Sequence, residues 1–329
     1  MALAISTWTT DGPVAPTGKK SSGSSSLHRA RYTHSISALS PSSPHWTGPV
    51  TPLRAGREYT FAAFTDAMVE GPTPTDFLPL VVAHRGSSAD EPENTLEAFE
   101  AAIEGGADVI ELDVRLSADG VPVAMHDADL SRSTDGQGFV HELTLSELKG
   151  LDAAPGRPER AEIPTVREAV ELASGRVGVD LEIKNIPGDA GFESPREAAL
   201  EAALRELETA SFSGDVLISS FNWLTIERSR ELAPDIPTGF LTIAPIEPRA
   251  ALVYARGAGH GWILPHVEAV KATGLDLVRE AHDDGIRVGT WVVDDEQGLA
   301  TLFEWGVDAV ATNDPRLAVA VRARSLRPA

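Results

Sequence analysis

The sequence predicts an α/β protein, a (β/α)8 barrel of the TIM type, and two observations predict it. From Leu80 onward, short β-branched apolar runs alternate with helical patterns, as in a parallel sheet. Chemistry-bearing residues gather at the downstream ends of those runs, in VVAHRG, DVIELDV, AMHD and LEIKN, where barrel enzymes keep their sites. A chain of 329 residues holds one such barrel with additions.

The elements follow in order. Residues 1–75 are rich in Ser, Thr and Pro, with SSGSSS and SPSSP, and show no sustained period. This segment is expected to be disordered, or to reflect a mis-annotated start, since Met68 lies just ahead of the first strand. The barrel domain is expected over 76–329. Its candidate strands are Leu80–Ala83, Val109–Asp113, Val121–His126, Val177–Ile183, Val216–Ser220, Pro237–Leu241, Gly261–Leu264, Arg287–Val293 and Asp308–Thr312. That is one more than a barrel needs, and Gly261–Leu264 is the weakest.

The helices between them carry readable ends. Asn94 or Thr95 caps one that buries Leu96, Phe99 and Ile103 and stops at Gly105-Gly106. Capping boxes stand at Thr144/Glu147, Thr165/Glu168 and Ser194/Glu197, and Asp314-Pro315 opens a last helix. The stretch 127–164 is too long for an ordinary connection and predicts a small insertion over the barrel mouth, after the third strand.

Bulk properties exclude several classes. With no cysteine there is no disulfide framework and no thiolate nucleophile, so a metal must be held by oxygen or imidazole. Formal charge is −21, and the first 75 residues carry a net +2, leaving −23 for the rest. That surface repels nucleic acid and anionic membrane, and neither is an expected partner. A phosphate ester would need local positive charge. No apolar run approaches a membrane span and no signal pattern opens the chain, so a cytoplasmic protein without stable membrane association is expected.

The candidate site follows from strand periodicity. On a strand Glu111 and Asp113 share one face, as do Glu182 and Lys184, with Asp180 one step deeper. Acids on the inward face of a barrel wall are costly unless they meet a cation, and Glu111, Asp113 and Glu182 form an all-oxygen set suited to one divalent ion, Ca²⁺ or Mg²⁺. The plain alternative is pairing with basic side chains. Lys184 on the same face fits an anion, or an ion pair with Glu182 or Asp180. His84 and His126 each end a strand and can divide general base and general acid work. That role requires the Val121–His126 strand to run parallel to its predecessor, because a tight hairpin at Asp119-Gly120 would send His126 to the opposite end of the barrel. Val114–Gly120, spanning about 23 Å at most, would then run back along the barrel. Arg85 beside Gly86 suits bidentate phosphate binding, or a pair with Glu93 or Asp90. Phe221 and Trp291, at later strand ends, are candidate pocket walls. There is no P-loop, dinucleotide fingerprint, GxSxG or HExxH.

Taken together these residues resemble the glycerophosphodiester phosphodiesterase family, over about Val81–Pro315. The family's His-Arg-Gly falls on His84–Gly86, Pro-Glu-Asn-Thr on Pro92–Thr95, Glu-Leu-Asp on Glu111–Asp113, His-Asp on His126-Asp127, Glu-Ile-Lys on Glu182–Lys184 and Ser-Phe on Ser220-Phe221. The resemblance implies a barrel with an insertion after the second histidine's strand, one divalent metal on Glu111, Asp113 and Glu182, and hydrolysis of small glycerophosphodiesters to sn-glycerol 3-phosphate and an alcohol, within glycerol and lipid metabolism. Two motifs depart from the family pattern. The usual Trp-Thr-Val-Asn is Trp291-Val292-Val293-Asp294, and the usual Thr-Asp-x-Pro is Thr312-Asn313-Asp314-Pro315. Both are expected to affect the substrate pocket and not the histidines or ligands. The alternatives are a related phosphodiesterase or phospholipase acting on an intact lipid, and a non-catalytic barrel binding a phosphorylated metabolite.

Overall fold

The computed structural model describes residues 78–325; the expectation for residues 1–75 lies outside them. The strands are β1 (Leu80–Ala83), β2 (Val109–Leu116), β3 (Pro122–Ala124), β4 (Gly178–Ile183), β5 (Val216–Ser220), β6 (Thr238–Thr242), β7 (Trp262–Pro265), β8 (Arg287–Thr290) and β9 (Ala309–Thr312). The helices are α1 (Leu96–Glu104), α2 (Leu145–Lys149), α3 (Val166–Ala173), α4 (Ala198–Ala210), α5 (Trp223–Leu232), α6 (Pro248–Ala258), α7 (Val267–Thr273), α8 (Leu275–Asp283), α9 (Glu296–Trp305) and α10 (Pro315–Ser325).

The strand order is β1-β9-β8-β7-β6-β5-β4-β2, and a β1–β2 pairing closes the circle. Every pairing in this ring is parallel. Inward side chains such as Val82, Val109, Leu217, Leu241, Trp262 and Leu264 fill the lower lumen. The outward rows pack against the helices; Ile110, Leu112 and Leu181 meet Phe99, Val170 and Leu200 on one side of the ring. The candidate Gly261–Leu264 is therefore a true barrel strand, β7.

The supernumerary strand is β3, and it corrects the expected geometry. It pairs antiparallel with the upper part of β2, Val114 facing Ala124 and Leu116 facing Pro122. Strand β2 runs three residues past Asp113, above the rim where β1 has ended, and β3 comes back down along the edge that β1 leaves free. Because β3 is only three residues long, the returning chain stops at the mouth: Met125 N donates to Asp113 O at 2.9 Å. A hairpin thus delivers His126 to the same end as His84, and no parallel third strand is needed.

The insertion after β3 builds its own small core, with Val123, Leu130, Val140, Leu148 and Ile163 fully or almost fully buried. The capping boxes at Thr144/Glu147 and Thr165/Glu168 are formed. The one expected at Ser194/Glu197 is not. Glu197 itself sits at the cap of α4 with φ 58°, and its buried carboxylate accepts from Asn185 Nδ2 at 2.8 Å and Thr225 Oγ1 at 2.7 Å. Those tertiary bonds replace the local one. Among the described residues no helix is long and apolar enough to cross a membrane.

Candidate active site

Parallel pairing of β2 with β4 sets Glu111 beside Asp180 and Asp113 beside Glu182. The two inward rows therefore bring four carboxylates to one wall of the mouth, all buried. Glu111, Asp113 and Glu182 each offer an oxygen within 4.8 Å of the others. The turn after β1 completes the group. Arg85 takes a left-handed conformation, φ 57°, and its N–H donates to Glu111 Oε2 at 2.7 Å. Gly86 follows at φ 81°, and a Cβ there would meet the Ala98 carbonyl carbon at 2.5 Å, so only glycine fits. Asn94 holds Asp113 from both sides, donating from Nδ2 to Oδ2 at 2.7 Å and accepting the Asp113 N–H at 3.2 Å.

The cations are placed against these acids. Lys184 Nζ lies 2.6 Å from Glu182 Oε1 and 3.1 Å from Asp113 Oδ1. Arg85 reaches Asp113 Oδ2 through Nε at 3.1 Å and Glu93 through Nη1 at 3.1 Å. The ion pairs anticipated for both residues are formed and leave them in the mouth. Burial, then Asp113 and Glu182, push the Glu111 carboxyl well above its usual range. Burial acts on Asp113 too, but Lys184 and Arg85 outweigh it and hold that carboxyl well below. Burial raises Glu182 against the opposing Lys184 charge, and lifts Asp180 to about 8 although Ser219 Oγ donates to it at 2.7 Å.

So dense a carboxylate group cannot be fully ionised without further positive charge. Glu111 Oε1 is buried with no hydrogen-bond partner among the described residues. An orphaned carboxylate oxygen in an all-oxygen set fits a hard divalent cation.

The histidines flank the acids with different partners. His84 Nδ1 lies 2.8 Å from Asn313 Oδ1, and Asn313 Nδ2 donates to Asp294 Oδ2 at 2.7 Å. A carboxylate only accepts, so Asp294 fixes which end of the Asn313 amide faces His84, and Nδ1 must carry the proton. His126 Nδ1 instead meets a carboxylate, Asp127 Oδ1, at 2.5 Å. Burial lowers both histidines; Arg85 adds to this at His84, while Asp113 opposes it at both. Asn313 and Asp294 are two of the three altered motif positions, so the expectation that these changes spare the histidines is corrected: they form the support of His84.

A cavity of about 220 Å³ opens among His84, Arg85, Glu111, His126, Glu182 and Lys184. Phe221 and Trp291 form its aromatic wall, edge to face at 5.3 Å, and Lys184 Nζ lies 5.7 Å from the Phe221 ring centroid. Every predicted site residue thus lines or adjoins one cavity; Asp113 sits just behind it, held by Asn94. From the sequence Asn94 was only a candidate helix cap, a place that Thr95 takes, and Asn313 and Asp294 were expected to bear on the substrate pocket and not on a histidine. The first lies in the Pro92–Thr95 motif, and the other two announced themselves only as departures from a pattern.

Residues 84–317 match the glycerophosphoryl diester phosphodiesterase family. A glycerophosphodiester phosphodiesterase of Caldanaerobacter subterraneus is 34% identical over 248 residues, 72% of this chain and 94% of its own. One from Bacillus subtilis is 32% identical over 258 residues, 72% and 84%. Among solved structures, an Oleispira antarctica phosphodiesterase in complex with the product sn-glycerol-3-phosphate superimposes with a TM-score of 0.66 at 31% identity, covering 75% of this chain and 98% of its own. A putative glycerophosphoryl diester phosphodiesterase from Silicibacter pomeroyi gives 0.68 at 26%, covering 76% and 94%. The chain belongs to the glycerophosphoryl diester phosphodiesterase family, and is a phosphoric diester hydrolase.

Proposed function

We propose that the protein hydrolyses glycerophosphodiesters to sn-glycerol 3-phosphate and an alcohol, with His84 as general base and His126 as general acid. The observation that carries the assignment is the contrast at Nδ1. An amide oxygen facing His84 leaves Nε2 as a bare lone pair, ready to take the proton of the attacking hydroxyl, whether water or the glycerol 2-hydroxyl. At His126 burial lowers the imidazole, and the Asp127 carboxylate on Nδ1 works against that, supporting the imidazolium that gives a proton to the departing alkoxide. Arg85 and Lys184 bind the phosphodiester and offset the negative charge that grows on its oxygens. Phe221 and Trp291 close one side of the pocket against water.

Glu111, Asp113 and Glu182 would hold a divalent cation, Ca²⁺ or Mg²⁺, and that ion would supply Lewis-acid polarisation of the phosphoryl group. The product complex of the Oleispira relative supports glycerol 3-phosphate as the product here. The acidic surface and the compact cavity support a small diester substrate over nucleic acid.

One observation favours a second reading, cleavage of an intact lipid. Trp223, Leu224, Ile243 and Ile246 are 52%, 41%, 51% and 40% exposed, and they follow the adjacent strands β5 and β6 at the mouth. The sequence had shown no exposed apolar segment of this kind. Separate incubations with glycerophosphocholine and with micellar lysophosphatidylcholine decide between the readings. Glycerol 3-phosphate from the former is the expected outcome; cleavage of the micellar lipid alone would replace the first reading with the second.

A further inference from the structure

Strand β2 carries a third inward residue above Glu111 and Asp113. This is Arg115, on the part of the strand that overshoots the barrel rim, and it is 9% exposed. Its guanidinium is spent entirely on the site's framework. Nε donates to the carbonyl of His126 at 2.7 Å, Nη1 to the carbonyl of Lys184 at 3.2 Å, and Nη2 to the Asp189 carboxylate at 2.8 Å. Both carbonyls lie just past the ends of β3 and β4, where the strand ladder no longer supplies donors. A planar, permanently charged fork meets three acceptors in one fixed geometry, which the single point of a lysine ammonium cannot.

We infer that Arg115 is a positioning residue: it locks the backbone of His126 to that of Lys184 and so sets the proton donor against the cation that binds the phosphodiester. The inference rests on the reading of His126 as the general acid. Arg115 reaches Lys184 only at its backbone carbonyl, while the Lys184 ammonium is held separately by Glu182 and Asp113, so its effect should fall on leaving-group protonation and not on substrate binding. Displacing a proton donor by about 1 Å costs on the order of 10²-fold in rate. An alcohol that leaves readily as its anion needs no such donor.

The test compares Arg115→Lys, Asp189→Asn, His126→Ala and the unaltered protein on two glycerophosphodiesters, one with choline and one with p-nitrophenol as the leaving alcohol. Arg115→Lys is expected to lower kcat for the choline ester about 10- to 100-fold with KM little changed, and to spare the p-nitrophenyl ester. His126→Ala should show the same split with a larger loss, about 10²- to 10⁴-fold. Asp189→Asn removes only the outermost anchor and should give a smaller loss in the same direction; it carries the test should Arg115→Lys not fold. Equal losses on both esters, or no loss, in a folded Arg115 or Asp189 variant while His126→Ala keeps the split would overturn the inference alone. No split in His126→Ala would overturn the proton-donor reading, and the inference with it.

Discussion

Asn313 decides how His84 behaves. A neutral amide beside Nδ1 gives the imidazole a tautomer without the charge that would raise its basicity, and burial with the Arg85 charge holds its pKa below 6.5. A base must be unprotonated to act, so activity should be lost only as pH falls through that lowered value. The acid limb of kcat/KM is accordingly expected below pH 6.5. Asn313→Asp combined with Asp294→Asn, which keeps an amide donor where Nδ2 now meets a carboxylate, would place a carboxylate on Nδ1, raise the His84 pKa and move that limb to higher pH; a pH–rate profile of the double variant that leaves the limb in place would contradict the Nδ1 assignment. This residue was visible in the sequence only as an oddity, whereas Glu111, Asp113, Glu182 and Lys184 were legible because period-two alternation puts acids where a barrel wants apolar side chains. Hydrogen bonds between residues 229 apart, such as His84 to Asn313, leave no local periodic trace.

At the level of elements, the β2–β3 hairpin shows where pattern reading stops. Alternation in Glu111, Asp113, Arg115 continues past the expected end of the strand, and following it would have revealed both the overshoot and Arg115. The third strand was expected in parallel because a tight hairpin was thought to carry His126 to the opposite end of the barrel; a return strand of three residues stops at the mouth instead. The insertion was readable because 127–164 is too long for an ordinary connection, and its capping box at Thr144/Glu147 from spacing alone. Its separate core gives a prediction. Leu130 is fully buried among Val123, Val140 and Leu148, so Leu130→Ala should cost about 2–5 kcal/mol locally. Limited proteolysis should then cut first within 127–164, and cleavage elsewhere ahead of it would show that the segment is not a separate packing unit.

Across the whole molecule the charge works against the chemistry. Residues after the first 75 carry a formal −23, and an anionic diester must approach through that field. Arg85 and Lys184 supply attraction only within the mouth, where salt screens little; the repulsion outside acts over distances that salt screens strongly. KM for a glycerophosphodiester of net negative charge, such as the p-nitrophenyl ester, should therefore fall as ionic strength rises from about 0.01 M to 0.15 M, and a rising KM would mean that the mouth's own cations dominate approach.

The central claim is that a three-carboxylate cation site and a basic His84 act together on a glycerophosphodiester. It is tested most directly by release of sn-glycerol 3-phosphate from glycerophosphocholine by the purified protein with Ca²⁺, with Mg²⁺ and with a chelator, beside Glu111→Gln and His84→Ala. Release that needs a divalent ion and falls about 10²-fold or more in each variant is the predicted result. Release that persists in the chelator, or survives either substitution in folded protein, would contradict it.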